Sequence, residues 1–88
     1  DISNNDITSI TKLPVSLVRI IGDNNKLLKY IASFPPNVET IKFRNCNLMI
    51  IPFLPDSVSS AHFKNNSIRY IPPKFLLYPN LIKLNLYI

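Results

Sequence analysis

The sequence predicts a repeat solenoid, in which short parallel strands stack over one continuous core. Three observations predict it: an apolar pattern returning about every 20 residues, an asparagine or cysteine at a fixed place in that pattern, and prolines ahead of each return. The clearest copies run from Leu17 to Leu27, Val38 to Leu48 and Val58 to Ile68. Each is apolar at its first, fourth and eleventh positions and carries Asn25, Cys46 or Asn66 at its ninth. The sixth position holds Gly22, Phe43 and Phe63. A further copy begins at Leu81, Leu84 and Leu86, and the start of the chain supplies Ile2, Asn5 and Ile7 as sixth, ninth and eleventh positions. First positions fall at 17, 38, 58 and 81, spaced by 21, 20 and 23 residues. Such a period marks supersecondary units that cannot bury an apolar face alone and must stack on neighbours.

Within each copy, positions three to five read as a short strand, because side chains alternate across a pleated backbone. Ile20, Ile41, Ala61 and Leu84 are expected to point inward, as are Phe43, Phe63 and Leu86. Asn5, Asn25 and Asn66 fall where the chain leaves the strand. An amide there can bond backbone through both its oxygen and its nitrogen, so stacked copies would form a ladder. Cys46 takes the same place, with a weaker donor. The second half of each copy carries Ile10, Ile31, Ile51 and Ile71, followed by Leu13-Pro14, Phe34-Pro35-Pro36 and Leu54-Pro55 ahead of the next strand. Eight prolines and so few residues per return leave little room for a full helix. Extended or polyproline-like chain is expected around Pro35-Pro36 and Pro52 to Pro55. Leu27, Leu28, Ile31 and Phe34 also have helical spacing, so a turn of helix remains open as a second reading there.

The pattern L-x-x-L-x-L-x-x-N/C-x-L resembles the signature of leucine-rich-repeat proteins. The resemblance implies a leucine-rich-repeat solenoid, right-handed and placed by convention in the α/β class, with a parallel sheet on its concave face. Extended segments or short helical turns would form the convex face. The Leu-Pro-x-x-Leu element and the short period are similar to repeats of secreted effectors of bacterial pathogens. In some of these the repeats are joined to a ubiquitin-ligase domain. That part has no counterpart in these residues, so ligase activity is not implied. Ile71-Pro72-Pro73-Lys74-Phe75 with Pro79-Asn80-Leu81 looks more like the longer repeats of eukaryotic and extracellular members.

Residues 1–88 are read as one repeat domain of about four copies, partial at both ends. At 47% hydrophobic and 17% charged, the composition excludes a disordered segment. The longest apolar stretch, Leu48 to Leu54, is interrupted by Pro52 and falls far short of the roughly 20 residues of a membrane helix. The chain opens Asp1-Ile2-Ser3 without Met or a leader pattern, and neither end carries a polar cap. A piece of a longer solenoid is expected, or end-to-end self-association through uncapped termini. The lone Cys46 cannot form an internal disulfide, which favours an intracellular or host-cytoplasmic setting.

Candidate contact residues fall in columns on the presumed concave face. The third positions are Arg19, Thr40, Ser60 and Lys83, the fifth Ile21, Lys42, His62 and Asn85, and the seventh Asp23, Arg44, Lys64 and Tyr87. Five cations against Asp23 give this face a formal +4, most of the chain's net +5. The functional reading is a protein-interaction module for an acidic partner, with Tyr87 and Ile21 as apolar anchors. Binding of a polyanion, nucleic acid or sulfated sugar, is the alternative, although no aromatic platform interleaves with the basic columns. A structural spacer in a larger protein is the third reading. One histidine, a single cysteine, and neither a carboxylate pair nor a glycine-rich loop speak for no catalysis, no cofactor and no metal. The sequon Asn65-Asn66-Ser67 lies inside the repeat signature and is read as incidental.

Overall fold

The computed structural model describes residues 1–68 and the strand Lys83–Asn85. Six short strands form: β1 Ser9–Ile10, β2 Arg19–Ile21, β3 Tyr30–Ile31, β4 Thr40–Lys42, β5 Ser60–His62 and β6 Lys83–Asn85. The larger sheet is parallel throughout, in the order β2-β4-β5-β6, and the smaller one pairs β1 with β3. The fourth positions line up in register, Ile20 beside Ile41, Ile41 beside Ala61 and Ala61 beside Leu84. Ile20 and Ile41 are buried between more exposed neighbours, the alternation a half-buried strand requires, and Ala61 is buried beside the buried His62.

Strands β2, β4 and β5 are delivered by the same proline turn. The N–H of Leu17 donates to the C=O of Pro14, Val38 to Pro35 and Val58 to Pro55, at 3.1 to 3.4 Å. Proline is free to start this turn because it needs only its carbonyl there. β2, β4 and β5 are left through the same second device, which also occurs ahead of β1. Asn4, Asn24, Asn45 and Asn65, the eighth positions, all have φ near 60°. Asparagine tolerates this left-handed conformation better than most residues with a Cβ. The backbone ladder runs on to these turns, with Asn24 N–H on Arg44 C=O and Asn45 N–H on Lys64 C=O.

One core lies between the two sheets. Ile10 and Ile31 of the smaller sheet, Ile20, Ile41 and Ala61 of the larger, and Val38, Val58, Phe43 and Phe63 all join it. Sixth positions fill it unevenly along the stack. A Cβ on Gly22 would stand 2.3 Å from the ring of Phe43, so glycine is what allows that ring to lie where it does. Phe43 also packs on Phe34, with ring centroids 6.1 Å apart.

Two expectations need correction. No helix forms among the described residues; Tyr30–Ile31 is a strand on Ser9–Ile10 instead. Hydrogen bonds from Lys29 N–H to Thr8 and Ala32 N–H to Ile10 secure it, and a helical turn would forfeit them. Leu28, not Leu27, takes the eleventh place. It is fully buried, whereas Leu27 is half exposed. The turn closed by Leu28 N–H on Asn25 C=O absorbs the one extra residue of this copy. The smaller sheet then stops at β3. Pro52 stands one residue past Ile51 where Ala32 stands one past Ile31, and it has no N–H to extend the ladder. Leu84 is placed by its backbone register alone, opposite Ala61, and Leu86 lies outside the described residues.

Phe63 is fully buried. Truncating it to Ala should therefore cost about 3–5 kcal/mol through the cavity left behind. Chemical denaturation checks this; an unchanged midpoint for Phe63→Ala would contradict the packing described.

Candidate functional site

The outward faces of β2, β4, β5 and β6 carry the columns expected from the sequence. Arg19, Thr40, Ser60 and Lys83 stand opposite one another, as do Ile21, Lys42, His62 and Asn85. Lys83 and Asn85 are placed by their backbone register alone, and Tyr87 lies outside the described residues. Arg19 and Lys64 are exposed, and Ile21, Thr40, Lys42 and Ser60 are half-buried.

Two of the expected contact residues are not on offer. Asp23 is buried. Its Oδ1 accepts the backbone N–H of Arg44 at 2.7 Å, and its Oδ2 accepts from Nη2 at 2.7 Å and Nε at 3.2 Å. This fork joins two successive seventh positions, so Asp23 and Arg44 hold neighbouring turns together and Arg44 has its charge balanced internally. Burial pushes the Asp23 carboxyl up, but the bonds and charge of Arg44, with the charge of Lys42, outweigh it and hold the pKa below its ordinary value. His62 is also buried, with Nε2 3.0 Å from Ser60 Oγ. Its ring packs along the strand instead of standing into solvent.

The ninth positions bond across turns of chain. Asn25 Nδ2 donates to Gly22 C=O at 2.9 Å and to Ile2 C=O at 3.1 Å. Asn66 Nδ2 donates to Phe63 and Phe43 carbonyls, and its Oδ1 accepts the N–H of Leu48. Asn25 Oδ1, at the corresponding place, is buried with no partner. Cys46 Sγ lies 3.4 Å from Gly22 C=O. Asn5 Nδ2 bonds Ile2 and Ser3 within its own turn. Burial raises the Cys46 pKa, and the charge of Asp23 adds to this against two backbone bonds.

A second amide ladder escaped the sequence reading. Asn65 Nδ2 donates to Asn45 Oδ1 at 2.8 Å, and Asn45 Nδ2 to Asn24 Oδ1 at 2.9 Å. Its signal was present: asparagine fills the eighth position of four copies, at Asn4, Asn24, Asn45 and Asn65. In the sequon, the Asn65 nitrogen is thus engaged, and Ser67 Oγ donates to Asn47. A groove of about 500 Å³ also opens between residues 29–32 and Met49, Ile50 and Pro52, where the smaller sheet ends. Tyr30, Met49 and Ile50 at this groove are exposed.

Among the described residues, no helix is long and apolar enough to cross a membrane, and no three His, Cys, Asp or Glu side chains gather to hold a metal.

Two outcomes follow for this region. A carboxylate with a depressed pKa contributes stability that is complete above its unfolded value and is lost as pH falls through the folded one. Stability should therefore drop below about pH 3.8, and Asp23→Asn should flatten part of that drop while lowering stability at neutral pH. Urea unfolding across pH 2.5 to 7, with both chains giving parallel curves, would contradict this. Cys46, half-buried with a raised pKa, should react with iodoacetamide more slowly in the native protein than in denaturant, as timed by mass spectrometry.

Compared with protein-family models, with curated proteins and with solved structures, the chain matches none.

Proposed function

We propose that this chain is a section of a leucine-rich-repeat solenoid that binds a protein partner through the outward face of its larger sheet. The observation that carries this reading is the register: third and fifth positions of successive strands stand in straight rows. Rows about 4.8 Å apart, fixed by backbone hydrogen bonds, present side chains with little entropy left to lose on binding. Arg19 and Lys42 are the cations best suited to an acidic partner, because neither makes an ion pair among the described residues. Ile21 beside Lys42 adds an apolar contact. The role is binding rather than catalysis. Binding of a nucleic acid or sulfated sugar is the second reading, favoured by the same two cations.

The test is an affinity capture from eukaryotic cell lysate with mass-spectrometric readout, comparing wild type with Arg19→Glu/Lys42→Glu. Arg44 is kept, because its bond to Asp23 belongs to the fold. A protein retained at moderate salt and lost in the variant is the expected result. Retention of the same proteins by both chains would refute this face as the site. Recovery of nucleic acid that fades steeply with salt would favour the polyanion.

A further inference from the structure

Resting on the interaction face just described, the side chains around Thr40 narrow what it would recognise. Thr40 on β4 stands between Arg19 of β2 and Ser60 of β5, and Lys42 follows two residues along the same strand. Ile20, Ile41 and Ala61 point into the core, so Arg19, Thr40, Lys42 and Ser60 share the opposite face. Strand spacing of about 4.8 Å, and about 6.7 Å between alternate residues along a strand, puts both cations within reach of one group above Thr40. Arg19 and Lys42 form no ion pair among the described residues. Glu39, the nearest acid in sequence, precedes β4 and forms none either. The hydroxyls of Thr40 and Ser60 add two donors. His62 Nε2 lies 3.0 Å from Ser60 Oγ. With its proton on Nε2, His62 donates to that oxygen and leaves the Ser60 hydroxyl hydrogen free to point outward.

We propose that Arg19, Lys42, Thr40 and Ser60 form a binding site for a phosphorylated serine or threonine of the partner protein. Charge sets the preference. A phosphate monoester carries about −1.5 to −2 at neutral pH and three strong acceptor oxygens, which match two cations and two hydroxyl donors. A carboxylate carries half that charge or little more and would leave a donor unused. A planar carboxylate is better served by a fork such as the one Arg44 makes with Asp23, where Nε and Nη2 are already engaged.

The probe is a fluorescein-labelled peptide pool with random flanks around a fixed phosphoserine, with pools fixed at glutamate or serine for comparison. Fluorescence anisotropy should show the phosphoserine pool binding about tenfold tighter than the glutamate pool, the size of one charge-assisted hydrogen bond. Arg19→Gln and Lys42→Gln should each weaken the phosphoserine pool about five- to tenfold. Thr40→Val, which keeps a β-branched shape suited to a strand, should weaken phosphoserine binding and leave the glutamate pool unchanged. Equal affinity for phosphoserine and glutamate would overturn the inference. So would a captured partner whose retention depends on Arg19 and Lys42 yet survives phosphatase treatment of the lysate; the interaction face would then stand and the phosphate site would fall. Heparin displacing every pool alike, with steep salt dependence, would overturn the phosphate site in favour of general polyanion binding.

Discussion

The structure depends on one constraint: every turn of chain must leave the larger sheet at the same point and in the same direction. A parallel sheet allows no tight hairpin, so each strand must be followed by a crossover before the next can be laid down. The eighth-position asparagines provide the exit. Their left-handed φ reverses the chain, and their side-chain amides tie Asn24, Asn45 and Asn65 into a row. The ninth positions then bond carbonyls of their own turn and of the previous one, as Asn66 does with Phe63 and Phe43. The ninth-position column thereby satisfies backbone groups that the ends of short strands would otherwise leave unpaired, while the eighth-position amides bond one another.

Given that exit, the other regularities follow. A fixed exit and a fixed proline turn leave three residues to pair in β2, β4 and β5, which puts Ile20, Ile41 and Ala61 on the core side. The core is shared by successive copies, so bulk in one copy must fit bulk in the next. Gly22 beside Phe43 is the plainest case, since the ring occupies the space a Cβ would need. Where one copy gains a residue, the turn at Asn25 to Leu28 absorbs it and the register of the sheet is unaffected.

The outward face has a different economy. Backbone bonding fixes where its side chains start, but charge decides which remain available. Asp23 balances the charge of the exposed Arg44, and Ser60 Oγ and His62 Nε2 lie 3.0 Å apart. What remains at the centre is a small cluster of cations and hydroxyls, not the uniform basic field that counting charges suggests.

Much of the architecture could be read from spacing alone. The period, the buried fourth and sixth positions and the column membership of Arg19, Thr40, Ser60 and Lys83 are properties of periodic residues, and periodicity survives in a linear string. So did the eighth-position asparagines, visible in the string but recognised only through their φ. The rest depended on contacts between residues some twenty apart, which no local pattern specifies. That Leu28 rather than Leu27 is buried, that Tyr30–Ile31 pairs as a strand, and that Asp23 is bonded beneath Arg44 were settled by neighbouring turns of chain. Sequence determined which positions repeat; tertiary structure decided which side chains the repetition leaves exposed, because exposure depends on what the next turn of chain places beside them.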